Sequence, residues 1–217
     1  MSDEREGALS ASAVEAAALC PGKPAAEAGK PDDVGPLAEA GTRMHKAFEE
    51  GNVHGLQPDE RELVLKADGM YRELEESWLG RLNPDLFPED VAEHHYREER
   101  VWGFDRRLSG KYDGLRIKGD AGLLYDLKTG YAEAQEATRN FQLRTLAVLA
   151  ARQYGLKQIT VALIQPNLFP PRVSECVYNE AEIDQSEKEL AAIIDRSLNP
   201  AACLLYTSPS PRDRTRS

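Results

Sequence analysis

"SGKYDGLRIKGDAGLLYDLKTG", residues 109–130, carries both the fold and the chemistry of this chain in one hairpin. Two strand-like runs flank Gly119-Asp120, and a glycine at the first central position suits a type II′ turn. Such a turn pairs Lys118 with Ala121. Counting outward, Leu115 meets Leu124 and Asp113 meets Asp126, with Cβ atoms about 4.5–5.5 Å apart. Lys128 falls on the face of Asp126, because side chains alternate along a strand. Two facing carboxylates repel unless something positive lies between them. Mg²⁺ or Mn²⁺ suits that place: hard divalent cations take oxygen ligands, and the Leu127 carbonyl adds a backbone oxygen. Lys128 beside the cation would orient a water or balance charge developing on a phosphate. An acid-x-Lys triplet alone is common by composition. A solvated strand end with an incidental ion pair is therefore the competing reading.

The rest of the chain sets limits on this site. Its 217 residues suffice for one domain with a real core. Apolar content of 41 % beside 29 % charged residues marks a soluble globular chain. No apolar run approaches the roughly 18 residues that span a membrane. The N-terminus, "MSDEREGALSASAVEAAALC", lacks the basic start of a secretory signal. Cys20, Cys176 and Cys203 do not make a disulfide framework, so a cytoplasmic location is expected. A formal charge of −10 argues against a broad basic nucleic-acid-binding surface. It leaves room for an enzyme whose nucleic-acid contacts are local and metal-assisted.

The last stretch, "CLLYTSPSPRDRTRS" (203–217), is rich in Ser, Pro and Arg and has no structural period. It reads as disordered, and "CLLYTSPSPRD" resembles the in-frame translation of a transposase adapter. The expectation is one domain over 1–202, with the natural C-terminus missing after about Ala202.

Before the hairpin the chain reads as helical. "LSASAVEAAALCPG" (9–22) opens with Ser caps and ends at Pro21-Gly22. A loop is expected over 23–35. Helices follow over 36–51, between Pro36 and Gly51, and over 58–80. In the second, Leu63, Ala67, Met70, Leu74 and Trp78 make one apolar stripe. "AEHHYREERVWGF" (92–104), "RLSGKYDGLRIKG" (107–119) and "GLLYDLKTG" (122–130) read as three successive strands. A helix over 132–155 comes next, then strands at 158–166 and 172–178. The final helix opens with an Asn179/Glu182 capping box. The order predicts an α/β fold, a central mixed sheet flanked by helices behind a helical N-terminal region. There is no internal repeat.

Four stretches carry a family resemblance: "GTRMH" (41–45), "SGKYDGLRI" (109–117), "YDLKTG" (125–130) and "FQLRTLAVLAARQYG" (141–155). In order and spacing they resemble the RecB-like branch of the PD-(D/E)xK nuclease superfamily. That branch has a G-T-x-x-H helix, a G-x-x-D strand, a D-x-K-T-G strand and a Q-L-x-x-Y-like helix. The likeness covers about residues 9–198. It implies a restriction-endonuclease-like core and a Mg²⁺- or Mn²⁺-dependent nuclease hydrolysing phosphodiester bonds of DNA. The setting would be phage or prophage recombination, repair or processing, with phage recombination or replication proteins as partners. It further implies His45, Asp113 and Asp126 as metal ligands and Lys128 as catalytic. Gln142 would contact substrate or steady the site. Leu146 stands where the pattern usually has Tyr. Cys20, in "LCPG", sits where some RecB-like proteins place the first ligand of an iron–sulfur cluster. The other three ligands would lie beyond Ala202, so this chain cannot complete one.

Blander readings exist for each residue. His45 adjoins the Met44/Phe48 stripe, and Gln142 shares a helix face with Leu146 and Leu149, so both are candidate boundary groups. His94 and His95 point to opposite strand faces and read as structural. Glu98 and Glu99 precede the hairpin, where either could approach the site, but solvated strand charge is the preferred reading. At the level of function, the charge of −10 suits a second class: a nuclease-fold module that binds DNA or assembles with little catalysis. An acidic partner-binding protein without metal would need the two aspartates far apart.

Overall fold

The computed structural model describes residues 7–27 and 35–197. The tail at 203–217 and Cys203 lie outside the described residues. The central sheet is built from β2 (Glu93–Arg97), β5 (Gly114–Lys118), β6 (Ala121–Leu127), β7 (Gln158–Gln165) and β8 (Arg172–Asn179), in that spatial order. Every ladder is antiparallel except β6 with β7. That parallel pair needs a crossover, supplied by α5 (Phe141–Tyr154). Strand β6 is buried along its whole length, as its apolar run requires of a central strand covered on both faces. Leu115, Leu124, Val161 and Leu163 face α5 and α6 (Glu180–Ser197). Leu123, Tyr125, Leu127 and Ile164 face α3 (Pro36–Glu50) and α4 (Pro58–Arg81). This is the mixed sheet between helices that the sequence predicts.

The hairpin register is the expected one. Lys118 pairs with Ala121 and Leu115 with Leu124, and Gly119 takes the turn's positive φ of 59°. The two strands before β6 differ from expectation, because each is broken. The first divides into β2 and β3 (Arg100–Gly103), the second into β4 (Leu108–Lys111) and β5. β3 and β4 leave the central sheet and join β1 (Leu9–Ser10) in a three-stranded sheet. The register runs unbroken across the division, from Arg97↔Gly114 to Arg100↔Lys111. Between these pairs, the Glu98 N–H donates to the Asp113 carbonyl at 3.2 Å, and the Tyr112 N–H to the Glu99 carbonyl at 3.3 Å. The ladder bends rather than ends, with Glu98 at φ 53°.

Other boundaries shift for local reasons. The expected first helix begins instead as β1, because Leu9 is buried and Leu9–Ser10 pairs in parallel with Leu108–Ser109. A short 3-10 turn and α1 (Val14–Leu19) follow, and Ser10 makes no side-chain cap. α2 (Lys23–Glu27) occupies part of the expected loop. In α4 the deepest face is Val64, Ala67, Tyr71, Leu74 and Trp78, with Leu63 and Met70 on its margin. α5 begins at Phe141 rather than 132, because Asn140 caps it through a bond to the Leu143 N–H. The residues before Asn140 strap the sheet end. Gln165 and Arg172 donate to the carbonyls of Ala132 and Ala134, and the Ala137 N–H donates to Ser174. At the start of α6 the reciprocal Asn179/Glu182 bonds form as expected. Among the described residues no helix is long and apolar enough to cross a membrane.

Candidate active site

The site forms where β5 begins, β6 ends and the sheet bends. Asp113 is the last residue before β5, one register step beyond the Gly114↔Tyr125 pair. Its Oδ2 accepts the Leu127 N–H at 2.6 Å, so the carboxylate lies against the end of β6. Gly114 allows this close approach, since a Cβ there would fall 2.2 Å from the buried Tyr125 ring. From α3, His45 brings Nδ1 to 3.2 Å from Asp113 Oδ1. An ionised carboxylate only accepts, so the proton of that bond belongs to Nδ1. A turn earlier, Gly41 lies beside Thr129, whose hydroxyl an added Cβ there would meet at 3.7 Å.

Asp126 lies on the α5 side of β6 and is 4 % exposed. Gln142, in the first turn of α5, donates to its Oδ1 at 3.2 Å. Lys128 Nζ stands 2.8 Å from Oδ2, an ion pair, yet Oδ2 is buried without an aligned hydrogen bond. The charge of Lys128 is thus what meets this buried oxygen. Burial pushes the Asp126 carboxyl above its usual range and Asp113 adds to it; Lys128 and His45 pull the other way without cancelling. Burial pulls the Lys128 ammonium down, but Asp126 and Asp113 outweigh it and raise the value, so this lysine stays charged. His45 behaves alike: burial lowers it, while the bond to Asp113 and the charges of Asp113, Asp126 and Glu98 raise it further.

The expected site residues fall into two contact groups, one around Asp113 and one around Asp126, and only His45 and Asp113 of them belong to the metal-capable cluster. His45 touches Asp113, Asp113 touches the backbone of Leu127, and Asp126 touches both Lys128 and Gln142. Leu146, at the position of the expected Tyr, is fully buried against Gly110 and does not enter the site. His95 stacks on Tyr71 and His94 on Tyr96, as structural side chains do. Cys20 and Cys176 are half-buried free thiols.

Of the two glutamates that could approach the site, Glu98 does so, against the preferred reading of solvated strand charge: it joins His45 and Asp113, with one ligand atom from each within 4.8 Å of the others. Its side chain is mostly buried and contacts Lys111. A left-handed backbone at a non-glycine residue costs about 1–3 kcal/mol and persists only where surroundings impose it. The signal was available, since the register that pairs Arg97 with Gly114 sets Glu98 opposite Asp113. Glu99 does remain at the rim, accepting from the Tyr154 hydroxyl at 3.1 Å. Beside the cluster opens a groove of about 560 Å³, lined among others by Lys46, Glu98 and Lys111.

One imidazole and two carboxylates with ligand atoms this close together could hold a divalent metal ion. No curated protein matches the chain significantly. Among solved structures, an alkaline exonuclease (LHK-Exo) from Laribacter hongkongensis is similar at 14 % identity and TM-score 0.42, with 88 % of each chain covered. A phage-related exonuclease from Haemophilus somnus 129PT is similar at 16 % identity and TM-score 0.37, covering 88 % of this chain and 92 % of that one. The family model of the PD-(D/E)XK nuclease superfamily matches residues 8–208, nearly the whole length. On that match, the chain belongs to the PD-(D/E)XK nuclease superfamily.

Proposed function

We propose that the protein is a Mg²⁺- or Mn²⁺-dependent nuclease that hydrolyses phosphodiester bonds of DNA, acting in phage or prophage DNA processing. The observation that carries this reading is the buried Asp126 carboxylate, ion-paired to a charged lysine two residues on, together with the His45, Glu98 and Asp113 ligand atoms gathered within 4.8 Å of one another. His45, Asp113, Asp126 and the Leu127 carbonyl would hold the cation. Bound there, it would supply Lewis acidity at a phosphoryl oxygen and acidify a water. Asp113 is fixed by the Leu127 N–H, and Asp126 by Gln142, so both carboxylates are oriented before any ligand arrives. Lys128 keeps its charge and is partly open to solvent. From there it orients the attacking water or offsets charge on the phosphate.

Lys128→Ala separates these roles. Mn²⁺ should still bind by calorimetry, while cleavage of labelled DNA falls at least about a hundredfold. Undiminished cleavage would remove Lys128 from the chemistry. A wild-type chain that folds, binds DNA and takes up no Mn²⁺ would instead support the catalytically weak DNA-binding or assembly module.

A further inference from the structure

We propose that Glu98 is an additional ligand of the cation site, and that Lys111 is held by Glu98 until the cation arrives and then grips a substrate phosphate. The inference rests on the nuclease reading and names two residues that reading does not use. Glu98 is anchored beside Asp113 by its own N–H, which donates to the Asp113 carbonyl. Its carboxylate then gathers with the His45 ring and the Asp113 carboxylate. Asp126, more than nine-tenths buried, follows at the end of β6 with its Oδ2 ion-paired to Lys128 at 2.8 Å.

In the structure the charge on Glu98 is met by Lys111, whose Nζ contacts Oε2. An ammonium and a divalent cation compete for one carboxylate, and the divalent ion wins where further ligands converge. Here His45 and Asp113 supply them. Displaced, Lys111 stays at the groove wall that Lys46 shares, near the cation but no longer neutralised. A flexible ammonium beside a cation site is a phosphate contact. The groove, about 560 Å³, has room for a sugar–phosphate unit rather than for an ion alone.

The exchange makes opposite-sign predictions for two variants of the full chain. In Mn²⁺ calorimetry, Glu98→Gln should weaken affinity about tenfold or more. Lys111→Ala removes a competitor and should strengthen affinity about two- to tenfold. For a fluorescent DNA oligonucleotide with Ca²⁺ in place of the catalytic ion, Lys111→Ala should lower the slope of log affinity against log salt by about 0.7–0.9. Without divalent ion the same substitution should leave that slope unchanged. Lys111 is half exposed, so this variant reports even where Glu98→Gln fails to fold. Weaker Mn²⁺ binding by Lys111→Ala overturns the exchange. Wild-type Mn²⁺ affinity in both variants overturns it too, and leaves the nuclease reading standing. Wild type that binds no Mn²⁺ overturns both.

Discussion

Asp126 concentrates the conflict between stability and use. Its carboxyl is buried, raised in pKa by that burial and by Asp113, and one oxygen has no aligned donor. A neutral isostere relieves this, since the folded environment disfavours the charge. Without divalent ions, Asp126→Asn should raise Tm by about 2–4 °C, the shift that about 1 kcal/mol makes in a chain of this size. The same variant should lose cleavage. A lowered Tm would mean that the Lys128 pair stabilises more than burial costs. Gln142 gives a milder test: Gln142→Ala should cut kcat about ten- to a hundredfold, since it releases the bond that orients Asp126. At this scale the sequence was informative wherever side-chain chemistry and strand alternation agree. It placed Asp113, Asp126 and Lys128 on one face, and the family pattern added His45 and Gln142. Glu98 escaped because glutamate has no preference for a left-handed backbone, so nothing in its identity announces the bend.

The bent double strand is the element that builds the site. By keeping one register through β2/β3 and β4/β5, it changes sheets without losing the alignment of Glu98 with Asp113. Gly114→Ala should destabilise by about 1–3 kcal/mol, because its Cβ would strike the buried Tyr125 ring. Chemical denaturation measures this loss, and Mn²⁺ affinity should fall with it as Asp113 shifts. On the outer side, Glu93 ties β2 to β5 through Arg116 and Lys118, which hold its carboxyl below the usual range. A lowered value stabilises above the unfolded pKa of about 4.3 and is lost as pH falls through the folded value. The stability difference between wild type and Glu93→Gln should therefore be largest above about pH 5 and vanish in stronger acid. Solvent screening keeps it under about 1 kcal/mol. Equal differences at pH 3 and pH 7 would show that the ion pair is not its source. Element boundaries were legible where caps are local, as at Asn179, Glu182 and Gly51. They were not at 132–140, whose helix-forming residues are instead drawn across the sheet by Gln165, Arg172 and Ser174.

For the molecule as a whole, a formal charge of −10 sets the problem that the site must solve. A surface of that sign repels nucleic acid at long range, so affinity must come from a local cation and from the few lysines beside it. DNA binding should accordingly strengthen about tenfold or more when Ca²⁺ is added at fixed ionic strength, as fluorescence anisotropy would register. Affinity indifferent to divalent ions would indicate a separate binding surface. The layered fold was legible from element order, because a hairpin followed by helix, strand, strand and helix admits few arrangements. The second, smaller sheet was not, since β1 exists only through its parallel pairing with a strand about a hundred residues later. The central claim is that the paired aspartates hold a cation that drives phosphodiester hydrolysis. It is tested most directly by cleavage of labelled DNA in Mg²⁺ or Mn²⁺ by wild type and Asp126→Ala, with folding checked by circular dichroism. Cleavage by wild type that EDTA abolishes, and none by the folded variant, is the result predicted; cleavage by both at similar rates would contradict it.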